Sequence, residues 1–446
     1  MRIGSFVLAT LATLVPGVVA ATVCVDPTPG HPLGSELFTS VFGNGPGGVP
    51  ALPLALSVAF ADVDGDGDDD VCSAGGSKVS CMTHRNKVGD DPCFHFGDYG
   101  FTASFSFNLT NYTSRWTTIG YPDLDGDGDD DLCVRGPDGM YCALAQDTDF
   151  GAPTRWSTNF GENNGWGAAK YYETIGFPDI DGDGRDDVCG RGSAGIHCGL
   201  STGTAFAATS LLWTTFSDVN GWGSSASYYG TIQYGDVDDD GRDDVCGRGS
   251  AGIYCATAGQ ASATLWTTQF SDAAGWGQEK YWSTIKLADV AEDWHGVDVC
   301  GRGSGGIHCG LAHHDHFEQA EAIAAPDFSD AHGWDQPKHY RTITFADVDG
   351  NGEADVCGRG NEGVYCATAM LFPGGGGGGI PECLPLDYCD FVFEEAQLWT
   401  SNFGDNNGWG SDEAYWGTVH AANVVDAWAG DEFCGRGSAG IWCSYR

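Results

Sequence analysis

The sequence predicts an all-β chain folded as a seven-bladed β-propeller of four-stranded blades, and three observations predict it. An acidic string, DVDGDGDDDVC from Asp62 to Cys72, returns as DLDGDGDDDLC at Asp123, DIDGDGRDDVC at Asp179, DVDDDGRDDVC at Asp236 and DVDGNGEADVC at Asp347, with eroded copies at Asp289 and Asn423. A cysteine pair nine residues apart accompanies every copy: Cys72/Cys81, Cys133/Cys142, Cys189/Cys198, Cys246/Cys255, Cys300/Cys309, Cys357/Cys366 and Cys434/Cys443. Short apolar-aromatic runs broken by glycine turns fill the rest of each unit. A repeat of roughly 55 to 60 residues built from short strands points to propeller blades.

Taken in chain order, residues 1–21 read as a secretory signal peptide: Arg2, an apolar run from Ile3 to Val15, then small residues up to Ala20 and Ala21. The run is too short for a membrane span, and no later stretch is long and apolar enough to cross a bilayer. The mature chain, 22–446, is expected to be a secreted, extracellular monomer. Its seven cysteine pairs agree, because disulfides persist in oxidising compartments. Turns such as Gly192-Ser193-Ala194-Gly195 between the paired cysteines make each pair a hairpin with its Cβ atoms opposed, hence one disulfide per blade. Zinc is the rival for cysteine pairs, but histidine partners do not recur in every unit. Of the other four cysteines, Cys24 is paired with Cys93 and Cys383 with Cys389.

One unit reads as an apolar-aromatic strand over 171–177, the acidic loop, a strand over 188–191, a hairpin, a strand over 196–200 and an outer strand over 212–218. The last unit stops at its third strand, Ile441 to Arg446, so its fourth is missing. Near the N-terminus, ELFTSVFG at Glu36 resembles the outer-strand QLWTSNFG at Gln397. The N-terminal segment is therefore expected to complete the seventh blade and cover its open edge. Residues 373–395, with six consecutive glycines, interrupt the sixth unit as a flexible excursion.

The acidic loops, at 62, 123, 179, 236, 289, 347 and 423, carry the first chemistry. Calcium takes six to eight oxygens from flexible acidic loops, and D-x-D-x-D-G turns such a loop around the ion. An EF-hand would need a glutamate at position 12 and flanking helices, whereas a strand-like VCGRG follows here. The predicted side-chain ligands are Asp62, Asp64, Asp66 and Asp70; Asp123, Asp125, Asp127 and Asp131; Asp179, Asp181, Asp183 and Asp187; Asp236, Asp238, Asp240 and Asp244; and Asp347, Asp349, Asn351 and Asp355. Asp68, Asp129, Arg185, Arg242 and Glu353 contribute carbonyls. About five calcium ions follow. The eroded loops, which gain Trp294 and Trp428, are expected to be metal-free and held by packing.

The net charge is −42. Five calcium ions would lower its magnitude to about 32, at two charges each. Nucleic acid and anionic membrane surfaces are disfavoured as partners, since both need basic patches.

A second repeated set is lost independently of the first. Arg135, Arg191, Arg248, Arg302, Arg359 and Arg436 follow the first cysteine by two, and Tyr141, His197, Tyr254, His308, Tyr365 and Trp442 precede the second. Five connections carry Gly-Trp, at Trp166, Trp222, Trp276, Trp334 and Trp409. Packing and charge neutralisation at blade junctions is one reading. The other is a ring of pockets, each with an aromatic face and a forked donor, which suits sugars and gains strength through multivalency.

The string D-x-D-G-D-G-x-x-D-V/L-C resembles FG-GAP (VCBS-type) repeats, the blades of the integrin α-subunit head and of secreted bacterial and fungal propellers. Seven such units with aromatic outer strands are also similar to seven-bladed lectins of the Psathyrella velutina type. The resemblance implies calcium in the blade loops and N-acetylglucosamine or sialic-acid ligands between blades. The cysteine pair in every unit, the eroded loops and the glycine-rich insertion depart from it.

Three functions follow from these readings: a multivalent carbohydrate-binding protein with glycan or glycoprotein partners, an adhesion scaffold without sugar binding, or a polysaccharide-degrading enzyme. An enzyme would need a unique acid, base or nucleophile rather than a repeated one. Outside the repeats the unusual cluster is His313-His314-Asp315-His316, a transition-metal site or a solvated loop.

Overall fold

The structure, a computed structural model, describes residues 35–39, 58–85, 95–96, 101–109, 113–146, 149–291, 295–319, 324–372, 390–424, 430–437 and 440–444. The leader, Trp294, Trp428, the pairings of Cys24, Cys93, Cys383 and Cys389, and the glycine run lie outside these residues. Seven antiparallel sheets form the blades, five of four strands and two of three. Blade 4 is representative: Gln233–Gly235, Asp244–Gly249, Gly252–Ala256 and Thr264–Thr267 pair in chain order from the inside outwards. In blade 7 the fourth place is taken by Ser35–Thr39, which pairs with Gly440–Ser444 at the other end of the chain. The ring is closed by its N-terminal strand.

The paired cysteines stand directly opposite one another in all seven hairpins, with Cα atoms 4.0–4.2 Å apart. Their side chains are buried in the cores between sheets. One such core joins Val237, Cys246, Ile253, Trp266 and Phe270 of blade 4 and its exit to Ile285, Val299 and Phe317 of blade 5. Sulfur therefore fills interblade space as well as stapling each hairpin.

Blades 2 and 3 differ from the predicted strand pattern. The stretch 171–177 is not a strand: Ala169–Tyr172 is a single helical turn, and Gly176 makes one bridge to Cys189. Pro178 stands where blade 4 has Gly235, and Pro122 does the same in blade 2. Proline has no N–H to give the ladder, so the innermost strand shrinks to a bridge. The Pro178 carbonyl still accepts from Asp187 N at 2.8 Å. The outer strand of blade 3 also runs earlier than expected, over Ser210–Trp213. At the sixth blade, Ala369–Phe372 pairs with Asp390–Phe393, so a two-stranded ribbon flanks the glycine-rich run.

A continuous clasp runs round the ring. The residue three before the first cysteine of each pair donates its N–H to the carbonyl of the preceding loop's first residue: Asp130 to Asp62, Asp186 to Asp123, Asp243 to Asp179, Val297 to Asp236, Ala354 to Asp289 and Asp431 to Asp347, all at 2.7–2.8 Å. Asp69 to Asn423 completes the circle between blades 1 and 7. Where that residue is aspartate, its carboxylate can return a second bond, as Asp130 Oδ2 does to Asp62 N at 3.0 Å. Seven links that come back to their start fix the blade number.

Candidate functional site: acidic loops and interblade clefts

The first residue of each intact loop organises its turn. Asp179 accepts from Gly182 N at 2.8 Å and Gly184 N at 2.8 Å, and Asp347 accepts from Gly350 N at 2.7 Å and Gly352 N at 2.8 Å. These bonds fold the chain back so that carboxylates gather on its inner side. Oxygens of Asp62, Asp64 and Asp66, of Asp123, Asp125 and Asp127, of Asp179, Asp181 and Asp187, of Asp236, Asp238 and Asp244, and of Asp347, Asp349 and Asp355 each lie within 4.8 Å of one another. Three of the predicted ligands are brought together in every intact loop. Asp64 Oδ1, Asp125 Oδ1 and Asp238 Oδ1 are buried without a hydrogen-bond partner. An all-oxygen donor set with orphaned carboxylate oxygens fits a hard cation, and these five clusters could hold metal ions. The side chains of Arg185 and Arg242 turn back onto Asp183 and Asp240, which leaves their carbonyls as the groups to offer.

Burial, with the neighbouring loop carboxylates adding to it, pushes Asp64 up to about 6, Asp187 and Asp355 to about 7, and Asp131 and Asp244 to about 8. The acid two before the first cysteine has a second duty. Asp244 accepts from Val237 N at 3.1 Å and Ala258 N at 2.6 Å, tying the loop to the strand beyond. The eroded loops keep it: Asp298 accepts from Val290 N and Ala312 N, and Glu432 from Val424 N. Architecture retains this carboxylate where the repeated pattern of acids at loop positions 3 and 5 is lost.

The second repeated set builds the junctions between blades. All six arginines are at most 1% exposed, so their side chains are closed off from solvent. Arg248 donates Nε to Phe270 O at 2.7 Å, Nη1 to Ser227 O at 3.1 Å and Nη2 to the Asp272 carboxylate. Arg191, Arg302 and Arg359 make the same three kinds of bond, to the carbonyls of Phe216, Phe328 and Phe403, to those of Lys170, Lys280 and Lys338, and to the carboxylates of Asp218, Asp330 and Asp405. Arg135 holds Phe160 O and Trp166 O, with Glu162 4.0 Å away. The forked donor expected to grasp ligand is spent on the protein. Each of these five guanidinium groups braces the connection leaving its own blade, at a motif F-x-[DE]-x-x-G-W that recurs five times.

That connection delivers its tryptophan to the next blade. Trp222 packs against Phe216 at 4.6 Å and edge-on to Tyr254 at 6.2 Å, while Trp276 meets Phe270, Tyr281 and His308. The same pairing joins Trp166 to His197 and Trp334 to Tyr365. The tryptophans are only 5–8% exposed, whereas His197, Tyr254, His308 and Tyr365 are half-buried. The glycine after the first cysteine of the next blade allows this approach, for a Cβ at Gly301 would fall 3.0 Å from the Trp276 ring. In blade 2 Phe107 stands against Tyr141 instead, at 5.2 Å.

Clefts open at these junctions. One of roughly 670 Å³ is lined by Trp276, His308, Tyr281 and the polar Thr268, Gln269 and Gln278. A second of 320 Å³ holds Trp334, Tyr365, His339 and Asn361, and a third of 470 Å³ holds Trp409, Trp442, Tyr415 and Asn407. The predicted tryptophan and the residue before the second cysteine thus meet in one cavity, whose lining contains no arginine. Burial lowers His197 and His308 below the usual imidazole range, so both offer a neutral ring at neutral pH. Sequence reading missed the third aromatic, on the helical turn that follows Gly-Trp, and the acid that holds the arginine.

No protein-family model and no curated protein matches the chain. Among solved structures it is similar to an Agrocybe aegerita lectin that specifically recognises non-reducing terminal N-acetylglucosamine, with 23% identity, a TM-score of 0.64 and 86% of each chain covered. The Photorhabdus luminescens Tc holotoxin pore matches at 12% identity and a TM-score of 0.46, over 95% of this chain and 15% of that one. The first likeness shows the propeller fold. The second bears on nothing further.

Proposed function

We propose that this protein is a secreted, calcium-loaded, multivalent carbohydrate-binding protein whose sites are the clefts between blades. One observation carries the reading: the same cleft, an aromatic pair flanked by side-chain amides and hydroxyls, recurs at successive junctions. Apolar C–H faces of a sugar lie against such rings while its hydroxyls take directed hydrogen bonds. Leu211, Leu265 and Leu398 stand opposite His197, Tyr254 and Tyr365 in register and are 41–43% exposed, adding an apolar edge suited to an acetamido methyl. The likeness to an N-acetylglucosamine-specific lectin supports testing glycans with that terminal sugar first. Sites repeated round a ring would give weak single contacts high avidity on a glycan-dense surface.

A glycan array in calcium tests the reading. Discrete binding to N-acetylhexosamine-terminated glycans is expected, reduced in Tyr254→Ala and His308→Ala with the melting temperature little changed. A folded protein that binds no glycan on the array would leave the adhesion scaffold as the better account.

A further inference from the structure

Blade 5 departs from the repeat twice, and both departures meet at one spot. Its third strand, Gly306–His313, runs eight residues where the equivalents in blades 3 and 4 run five, and it turns straight back through His314 and Asp315 into His316–Gln319. Its acidic loop has lost the repeated carboxylate pattern and carries His295. The extra hairpin pairs His313 with His316, and Leu311 with Glu318 one pleat further on, so His313, His316 and Glu318 share a face. His295 comes from the loop onto that face. Its ring stacks on His313 at 4.7 Å and lies 5.0 Å from His314, while His313 stacks on His316 at 5.4 Å. Four of the chain's twelve histidines are gathered here.

We propose that His295, His313 and His316, with Glu318 or His314 as the fourth donor, bind one borderline divalent metal of the zinc type. Directly opposed residues on neighbouring strands hold their Cβ atoms about 4.5–5.5 Å apart, near enough for two imidazoles to share an ion at about 2.0–2.1 Å from each nitrogen. The rings are stacked rather than convergent, and His314 and His316 are exposed, so closure takes only side-chain rotation. Asp315 Oδ1 lies 2.9 Å from His316 Nδ1, which orients that ring and leaves Nε2 as its donor. Glu318 Oε2 lies 3.9 Å from His313 Nε2, close enough to offset the charge of the ion. A nitrogen-rich set prefers zinc, copper or nickel, whereas the all-oxygen loops prefer calcium. The two classes of site are chemically separate.

Calorimetric titration of the full chain with zinc chloride, in millimolar calcium to occupy the acidic loops, tests this. One high-affinity zinc per chain is expected, weakened at least tenfold in His313→Ala/His316→Ala and, on the other element, in His295→Ala. Cobalt should give the visible absorption of a nitrogen-ligated ion in the wild type and lose it in both variants. Circular dichroism and melting in calcium identify a misfolded variant, and His313→Gln/His316→Gln then replaces it. No zinc uptake above millimolar calcium, or uptake unchanged in folded variants, would overturn the assignment.

Discussion

Replacing Arg248 by methionine separates a bracing role from a ligand-binding one. Methionine keeps most of the aliphatic stem and removes the three hydrogen bonds to Phe270 O, Ser227 O and Asp272. A buried acceptor left without its partner costs about 1–3 kcal/mol, so the two carbonyls together cost roughly 2–6 kcal/mol. Asp272 adds little, because its side chain is 43% exposed and water replaces the guanidinium. A loss near 4 kcal/mol is expected from urea denaturation followed by tryptophan fluorescence in calcium, in a chain whose stability is expected to be about 5–15 kcal/mol. Freed from Arg248, the 270–276 connection should also show faster amide exchange than the equivalent connections of other blades. A loss below about 1 kcal/mol, the usual range for surface changes, would refute the reasoning and return Arg248 to the cleft.

Three further outcomes follow from the same geometry. In chelator, the carboxylates raised by burial and by one another keep protons that the unfolded chain gives up near pH 4, so stability falls as pH rises through 6 to about 8. Calcium should abolish that fall, and a chelated protein whose melting temperature climbs across this window would contradict the assignment of the loops. Asp130→Ala removes the second half of the clasp between blades 1 and 2 and should cost about 1 kcal/mol, with the Asp62 amide exchanging faster; no change in that amide would sink the clasp. Gly252→Ala would put a Cβ 1.9 Å from Thr267 O at a φ of +143° and should destabilise by several kcal/mol, read as a drop in denaturation midpoint.

What the residues declared in advance, and what they withheld, divides along physical lines. Cysteine spacing reported pairing because a hairpin with a short turn leaves no other register for Cys246 and Cys255. The missing fourth strand of blade 7 was legible because Glu36 to Gly43 repeats an outer-strand pattern found elsewhere only inside units. The inner strands of blades 2 and 3 were overestimated: the apolar run around Tyr171 looked extended, but it starts in a helical turn, and Pro122 and Pro178 deny the ladder a donor. The clasp was invisible because Asp130 meets a residue 68 positions away, in another copy of the repeat. Whether Arg248 lines a pocket or braces a junction stayed open in the sequence because residue type does not report burial. Its acid had a signal, though: a carboxylate four before each Gly-Trp tryptophan, at Glu162, Asp218, Asp272, Asp330 and Asp405.

The most direct test of the interblade sites is calorimetry with a multivalent ligand bearing terminal N-acetylglucosamine, on the calcium-loaded wild type and on a variant with His197, Tyr254, His308, Tyr365 and Trp442 all changed to alanine. The account predicts several sites per ring and saturable binding in the wild type, with none in a variant that still melts cooperatively. Equal binding by both proteins would contradict it.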